Sequence, residues 1–248
     1  MTTAEHPDVQ IKDQDDIRYM YLSSPWIQGA MSLKAPHELV HDYAQNMMLW
    51  LLFNQAPHKI AQFGLGAGTL TRFCQHYFPQ AEIEVLEINP KVIQAVHEHF
   101  FIPANNTHLR IHEQCAKDFI QQAPARTYDL IQVDAYGSEA VAPAIDGVEF
   151  YQHCARALND RGLLTINLLG SPQIIHEHIH ELNQCFEATA WLPENEDGNL
   201  IAIAFKKAPE IEFDTLYKRA AQIESRYQLP ATSWVKDLED WMNAAPDD

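Results

Sequence analysis

The sequence predicts an α/β fold in which a mostly parallel sheet carries helices on both faces. Two observations lead to this prediction. From residue 59 onward, short apolar runs typical of buried strands alternate with longer stretches of helical periodicity. A glycine-rich segment also stands directly between the first of these runs and the helix that follows it. With 248 residues, the chain is long enough for one such domain with a small addition.

The N-terminal part of the chain is predicted to lie outside this repeat. Residues 1–16 are polar and acidic, so we expect a disordered tail there. Residues 17–56 are expected to form a small β-hairpin and a helix. The hairpin strands are predicted at 18–22 and 26–33, and apolar residues at helical spacing predict the helix at 37–54.

The main domain, residues 57–248, follows the strand–helix repeat. We expect seven strands, at 59–63, 82–86, 108–112, 128–134, 163–168, 188–192 and 200–205, the last two being a closing antiparallel pair. We expect helices at 69–77, 90–100, 116–122, 148–158, 173–186, 213–227 and 233–244. In such sheets ligands bind beyond the carboxyl ends of the strands, so the loops after the strands are the place to look for a functional site.

The loop after the first strand of the main domain has the pattern GxGxG, formed by Gly64, Gly66 and Gly68. The dinucleotide fingerprint GxGxxG would need a glycine where Thr69 stands. Glu87 ends the second strand about 20 residues later, where an acid can accept hydrogen bonds from a ribose diol. The combination predicts a Rossmann-like, nucleoside-binding domain with the fold of S-adenosylmethionine-dependent methyltransferases.

The net charge indicates which classes of binding partner to expect, and the cysteine content indicates the cellular compartment. The formal net charge is −17, from 34 acidic and 17 basic residues. Such a surface repels phosphate backbones and anionic lipid, so we expect no nucleic-acid partner and no membrane partner, whereas cationic ligands are attracted. The four cysteines form no CxxC pair, and the N-terminus has no basic and apolar leader, so we expect a cytoplasmic protein.

Several segments together resemble the spermidine synthase (polyamine aminopropyltransferase) family over roughly residues 18–170. They are GLGAG at 64–68, VLEINP at 85–90, YDLIQVD at 128–134, EFY at 149–151 and the strand region 158–164. The resemblance implies a seven-stranded methyltransferase-type fold with an N-terminal hairpin and a homo-oligomer. It also implies aminopropyl transfer from decarboxylated S-adenosylmethionine, a co-substrate rather than a tightly bound cofactor, to an amine such as putrescine.

The resemblance also implies roles for individual residues. Asp134, at the end of the fourth strand, is the expected catalytic residue that helps to deprotonate the attacking amine. The expected substrate residues are Tyr43, Tyr136 and Glu139. The expected nucleoside-binding residues are Gly64, Gly66, Gly68, Glu87, Ile88, Cys115 and Ala116.

The chain departs from the family pattern at several places, among them the three that follow, Ser32 in place of a hairpin glutamine, and the motif Tyr43-Ala44-Gln45. Ala67 stands where the family's GGGDG loop has its aspartate, and Cys115 replaces an aspartate on the adenine side. After Asp134 no second acid stands in register, and Glu139 could substitute only in a rearranged loop. Two alternatives therefore stay open: an S-adenosylmethionine-dependent methyltransferase, and a non-catalytic nucleoside-binding or assembly protein that has lost the polyamine site.

A zinc site is the remaining motif to weigh. Residues 176–180 read HEHIH, which has the HExxH spacing in which two histidines one helical turn apart can bind zinc. No third ligand is apparent in the sequence, so we expect a solvated helix face and no metal.

Overall fold

The computed structural model describes residues 6–23, 25–135 and 147–243. The strands are β1 Val9–Gln14, β2 Ile17–Leu22, β3 Ile27–Ser32, β4 Lys59–Phe63, β5 Glu82–Glu87, β6 Leu109–Glu113, β7 Tyr128–Val133, β8 Leu158–Leu169, β9 Ala188–Trp191 and β10 Asn199–Phe205. The α-helices are α1 Asp42–Asn46, α2 Thr69–Tyr77, α3 Pro90–His99, α4 Ala116–Gln122, α5 Val148–Ala157, α6 Pro172–Cys185, α7 Phe213–Tyr227 and α8 Ala231–Asn243.

The main sheet has seven strands in the order β6-β5-β4-β7-β8-β10-β9. The pairs from β6 to β8 are parallel, and β10 runs antiparallel to both β8 and β9. The chain proceeds from β4 to β5 and β6 on one side, then crosses to β7 on the other side of β4. The predicted fold class is thereby confirmed, and the strand order reverses between β4 and β7, where open α/β sheets bind their ligands.

Helices cover both faces of this sheet in two separate hydrophobic layers. Alternate residues of β4 point into different layers, with Ile60 in one and Ala61 and Phe63 in the other. The first layer contains side chains of α2, α3, α7 and α8, and the second contains those of α4, α5 and α6. The first layer also includes residues before position 57, which pack together with residues of the main domain. The predicted boundary between an N-terminal unit, residues 17–56, and a main domain, residues 57–248, therefore stays a prediction.

The N-terminal sheet differs from the expected hairpin because it has three strands. Strands β1, β2 and β3 pair antiparallel, and β1 lies within the segment 1–16 that we expected to be a disordered tail. That expectation was wrong for residues 9–14. The acidic composition of the segment hides an alternation in which Val9 and Ile11 pack against the core, and this apolar face stabilises the third strand.

The predicted helix at 37–54 was also wrong in extent. Its place is taken by the single turn and a half of α1 and by a short 3-10 helix at Leu49–Leu52. His41 has an extended backbone, and the side chain of Gln45 donates to the carbonyl of Leu39 at 2.9 Å, so the chain cannot be helical before α1. Residues 47–52 are all fully buried, and a segment without an exposed face carries no reliable helical periodicity.

Candidate active site

A cavity of about 1170 Å³ lies at the carboxyl ends of β4, β5 and β7, where the strand order reverses. The glycine loop forms its floor, and residues of the N-terminal sheet, of α1 and of the β9–β10 loop complete its walls. Of the residues expected to form the site, the cavity brings together Tyr43, Gly64, Gly66, Glu87, Ile88, Cys115, Ala116 and Asp134. Gly68 lies just beyond them, at the start of α2, and Tyr136 and Glu139 lie outside the described residues.

The glycine loop is held between β7 and the N-terminal sheet. Gly64 has a φ of +91°, and a Cβ atom on it would lie 2.0 Å from the carbonyl oxygen of Asp134. A Cβ atom on Gly66 would lie 2.7 Å from the carbonyl oxygen of Gln28 on β3. Glycine is therefore required at both positions, because any side chain would push the loop away from the strand ends that it joins.

Glu87 is oriented by main-chain donors of the glycine loop and of the helix that follows. Its Oε2 atom accepts a hydrogen bond from the backbone N–H of Leu65 at 3.1 Å, and Oε1 accepts one from that of Asn89 at 2.8 Å. Burial raises the pKa of the Glu87 carboxyl, and these hydrogen bonds oppose the rise. The carboxylate is held against the loop and lines the cavity, where a carboxylate can accept hydrogen bonds from a diol.

The far side of this half of the cavity is formed by the start of α4. The backbone N–H of Gln114 donates to the carbonyl of Glu87 at 3.1 Å, which holds the β6–α4 loop beside the end of β5. Cys115, a half-buried free thiol, and Ala116 follow on this loop. Ile88 is 56% exposed and forms an apolar rim opposite them. These residues give this part of the cavity a mostly apolar lining.

Asp134 follows the last residue of β7 and lines the other half of the cavity. Its backbone N–H donates to the carbonyl of Phe63 at 2.8 Å, which keeps it beside the glycine loop. Its Oδ1 atom accepts a hydrogen bond from Nδ2 of Asn167 at 3.0 Å. Burial raises the pKa of the Asp134 carboxyl, and the Asn167 amide opposes that rise.

Tyr43 and His41 form the wall facing Asp134. Burial raises the pKa of the Tyr43 phenol well above its ordinary value, and the negative charge of Asp134 adds to this effect. The His41 ring stacks on Tyr43 with 5.9 Å between centroids, and burial lowers the pKa of this histidine although Asp197 and Asp42 favour its charged form. The wall therefore presents neutral aromatic groups next to a carboxylate.

Three acids that the sequence analysis did not single out stand at the cavity mouth. Glu194, Glu196 and Asp197 are exposed residues of the β9–β10 loop that also line the cavity. Asn167, which contacts Asp134, was missed as well. A signal existed for both: ENED at 194–197 is a dense acidic run in a predicted turn, and Asn167 interrupts the apolar strand LLTINLL.

The described part of the chain contains no group of three or more histidine, cysteine or acidic side chains arranged to hold a metal ion. His176 and His180 of the HExxH pattern are exposed on α6, whereas His178 is buried and its Nδ1 lies 2.8 Å from the Tyr151 hydroxyl.

Within the described residues, every helix is too short or too polar to cross a membrane.

Comparison with known proteins connects this geometry to a family. A sequence profile described as "Spermine/spermidine synthase domain" matches residues 41–214. The polyamine aminopropyltransferase of Chromobacterium violaceum is 32% identical over 235 residues, which cover 94% of this chain and 90% of that protein.

Two solved structures show the same fold. A probable spermidine synthase from Corynebacterium glutamicum superimposes with a TM-score of 0.75 and 18% identity, covering 97% of this chain and 92% of that one. Human methyltransferase-like protein 13, crystallised with SAH, superimposes with a TM-score of 0.68 and 20% identity, covering 76% of this chain and 93% of that one.

The profile match runs from the wall at His41 and Tyr43, through the glycine loop, Glu87 and Asp134, to the start of α7. It thus includes both halves of the cavity and most of the main sheet. The resemblance noted in the sequence is confirmed: this chain belongs to the spermine/spermidine synthase family.

Proposed function

We propose that this protein is an aminopropyltransferase that binds decarboxylated S-adenosylmethionine and transfers its aminopropyl group to an amine such as putrescine. The observation that carries the proposal is the placement of Glu87 and Asp134 in one cavity, on opposite sides of the glycine loop. We assign the ribose contact to Glu87, and we assign the contact with the attacking amine to Asp134. Family membership supports the same reaction.

The proposed reaction is an in-line displacement at carbon. The lone pair of the acceptor nitrogen forms a bond to the aminopropyl carbon attached to sulfur, the C–S bond breaks, and its electron pair neutralises the sulfonium. The products are methylthioadenosine and the aminopropylated amine, with one proton released from the nitrogen. Asp134 accepts that proton or orients the N–H that carries it, and the cavity walls supply the alignment.

The charge of the cavity favours a cationic acceptor. Asp134 lies inside, and Glu194, Glu196 and Asp197 stand at the mouth, on a chain with a net charge of −17. Among the described residues, no lysine or arginine lines the half of the cavity around Asp134. The lysine that lines the cavity, Lys117, belongs to α4 on the Glu87 side. The negative potential attracts a polyamine and keeps its distal ammonium near the mouth. The mouth acids are our candidates for the amine contacts that the family makes after its strand-four aspartate.

Methyl transfer from S-adenosylmethionine is the second candidate. Ala67 supports it, because the buried methyl group in the glycine loop lines the cavity and leaves this position without a carboxylate. A ligand that keeps its own carboxylate would meet no repulsion there.

Calorimetric titration with S-adenosylmethionine, its decarboxylated form and methylthioadenosine separates the candidates. The proposal predicts tighter binding of the decarboxylated ligand and of methylthioadenosine, and release of methylthioadenosine when putrescine is added, measured by mass spectrometry. Preference for the carboxylated ligand, with a methylated product, would replace aminopropyl transfer by methyl transfer. Absence of binding to all three would leave a family member without this reaction.

We also propose that the protein is a cytoplasmic homo-oligomer. Family resemblance supports the assembly, and the four thiols, all free in the structure, fit a reducing compartment. Light scattering coupled to size-exclusion chromatography tests the assembly, and a monomeric mass at micromolar concentration would contradict it.

A further inference from the structure

Two asparagines connect Asp134 to the β9–β10 loop by a chain of side-chain hydrogen bonds. Asn199 donates from Nδ2 to Oδ1 of Asn167 at 3.0 Å, and Asn167 donates from Nδ2 to Oδ1 of Asp134 at 3.0 Å. All three residues line the cavity. We propose that Asn199 and Asn167 are positioning residues, which fix the direction in which the Asp134 carboxylate faces the acceptor amine. The inference rests on the proposed role of Asp134 as proton acceptor.

The direction of this chain follows from the chemistry of the amides. An asparagine side chain has one acceptor oxygen and one donor nitrogen at nearly equal positions, so its orientation is decided by its neighbours. An ionised carboxylate only accepts hydrogen bonds, so Asn167 turns its nitrogen toward Asp134 and its oxygen toward Asn199, which donates to it. The reversed orientation would place two oxygens together at Asp134 and two donors together at Asn199. The donor of Asn199 therefore supports the orientation of Asn167 that Asp134 requires.

The sheet makes this arrangement rigid. Asn167 lies in β8, is only 4% exposed, and pairs across the ladder with Ile201 of β10. Asn199 is the first residue of β10 and pairs with Leu169. The side chains thus project from adjacent antiparallel strands, and their separation is set by the ladder and not by a mobile loop.

The contact affects both the geometry and the charge of Asp134. Among the described residues, the groups that face this carboxyl are the Tyr43 phenol from α1 and the Asn167 amide. Of these, Asn167 supplies the side-chain hydrogen bond to the ionised form. With Oδ1 held in this way, Oδ2 is the oxygen left to meet the amine, in an orientation fixed relative to the glycine loop.

The Asn199→Asp variant tests the proposal, because it keeps the size of the side chain and replaces the donor by an acceptor. Asn167 must then either turn its nitrogen toward residue 199, and its oxygen toward Asp134, or stay in place against a second carboxylate. We expect kcat to fall about tenfold, since the proton acceptor loses its alignment. We also expect the acid limb of the pH profile of kcat/KM to move to higher pH, with nucleoside affinity unchanged.

Asn195→Asp is the matched control. Asn195 lies four residues before Asn199, on the β9–β10 loop, and its Oδ1 accepts from the backbone N–H groups of Asp197 and Asn199. An aspartate there keeps both bonds and adds the same charge, so the pH profile should stay that of the wild type. An Asn199→Asp enzyme with a wild-type profile and kcat would overturn the proposal. An equal shift in both variants would overturn it too, because it would trace the effect to the added charge.

A carbon-13 NMR titration of the Asp134 carboxyl, assigned with the Asp134→Asn variant, tests the contact without any turnover. The pKa of Asp134 should rise in Asn199→Asp and in Asn167→Leu, and it should not rise in Asn195→Asp. Thermal unfolding establishes that each variant is folded. If the wild-type protein releases no methylthioadenosine, the proposed function fails, while this titration still decides whether the asparagines act on Asp134.

Discussion

The two halves of the cavity are built in different ways. In the proposed nucleoside half, the glycine loop and Glu87 come from one continuous βαβ segment, β4 to α3, and Glu87 is held there by the backbone N–H groups of Leu65 and Asn89. The amine half joins residues from distant parts of the chain, among them Tyr43, Asp134 and Asn167, and is connected by side chains. Backbone donors survive changes of side chain, whereas side-chain contacts do not.

This difference bears on the positions at which the sequence departs from the family pattern. The side chains of Ala67 and Cys115 take no part in the hydrogen bonds that hold Glu87, because the donors are backbone N–H groups of other residues. The departures at these two positions therefore leave those hydrogen bonds in place. In the amine half the acids stand on the β9–β10 loop. We expect the first half to determine binding of the co-substrate and the second to determine turnover and the choice of acceptor.

The largest expected effect separates the two halves directly. Asp134→Asn removes the proton acceptor and keeps the size of the side chain, so kcat should fall about 10²- to 10⁴-fold. Affinity for decarboxylated S-adenosylmethionine, measured by calorimetry, should be unchanged because Glu87 and the glycine loop are untouched. An unchanged kcat would remove Asp134 from the mechanism.

The second prediction concerns the contact between the glycine loop and Asp134, where the two halves of the cavity meet. Gly64→Ala combines a left-handed backbone with a Cβ atom 2.0 Å from the carbonyl of Asp134. We expect it to lower the free energy of unfolding by about 3 kcal/mol or more in urea denaturation. Gly147→Ala is the control: its φ of +94° is similar, but among the described residues beyond its chain neighbours no atom lies within 4 Å of the new Cβ. It should cost about 1–2 kcal/mol, and equal losses would refute the close approach.

A substitution in the nucleoside half should have the opposite signature to that of Asp134→Asn. Glu87→Gln replaces one accepting oxygen by an amide nitrogen that faces a backbone donor. Nucleoside affinity should fall roughly ten- to hundredfold, with kcat at saturating co-substrate little changed. Glu113→Gln is the control, since Glu113 is the exposed partner of Glu87 on β6. Wild-type affinity in a folded Glu87→Gln protein would exclude the ribose contact.

The smallest effect is on the pH dependence of stability. Burial raises the pKa of Asp134 in the folded protein, so the folded state binds a proton more tightly than the unfolded state. The stabilisation is complete below the ordinary carboxyl pKa of about 4 and is lost as the pH rises through the raised value. Relative to Asp134→Asn, the wild type should therefore lose stability between acid and neutral pH in urea titrations. A constant difference would show that the carboxyl is not perturbed.

Several features of the protein could be predicted from the sequence. The strands and helices from residue 59 onward, the glycine loop, Glu87 and Asp134 were all assigned to their elements, because each depends on local periodicity or on short-range turn chemistry. The prediction failed where local signals are absent: in the acidic segment that contains β1, and in residues 47–52, which are buried on every side.

The sequence by itself therefore determined the family, the order of the elements from residue 59 onward, and the glycine loop with Glu87 beside it. The family resemblance had already assigned Tyr43 and Asp134 to one site. Only the tertiary structure placed Asn167 and Asn199 in one hydrogen-bonded chain with Asp134, and Glu194, Glu196 and Asp197 at the cavity mouth. The physical reason is strand order. These contacts exist because β10 inserts antiparallel between β8 and β9 and because α1 packs over the end of the sheet, and such pairings between distant segments leave no periodic trace in the residues that make them.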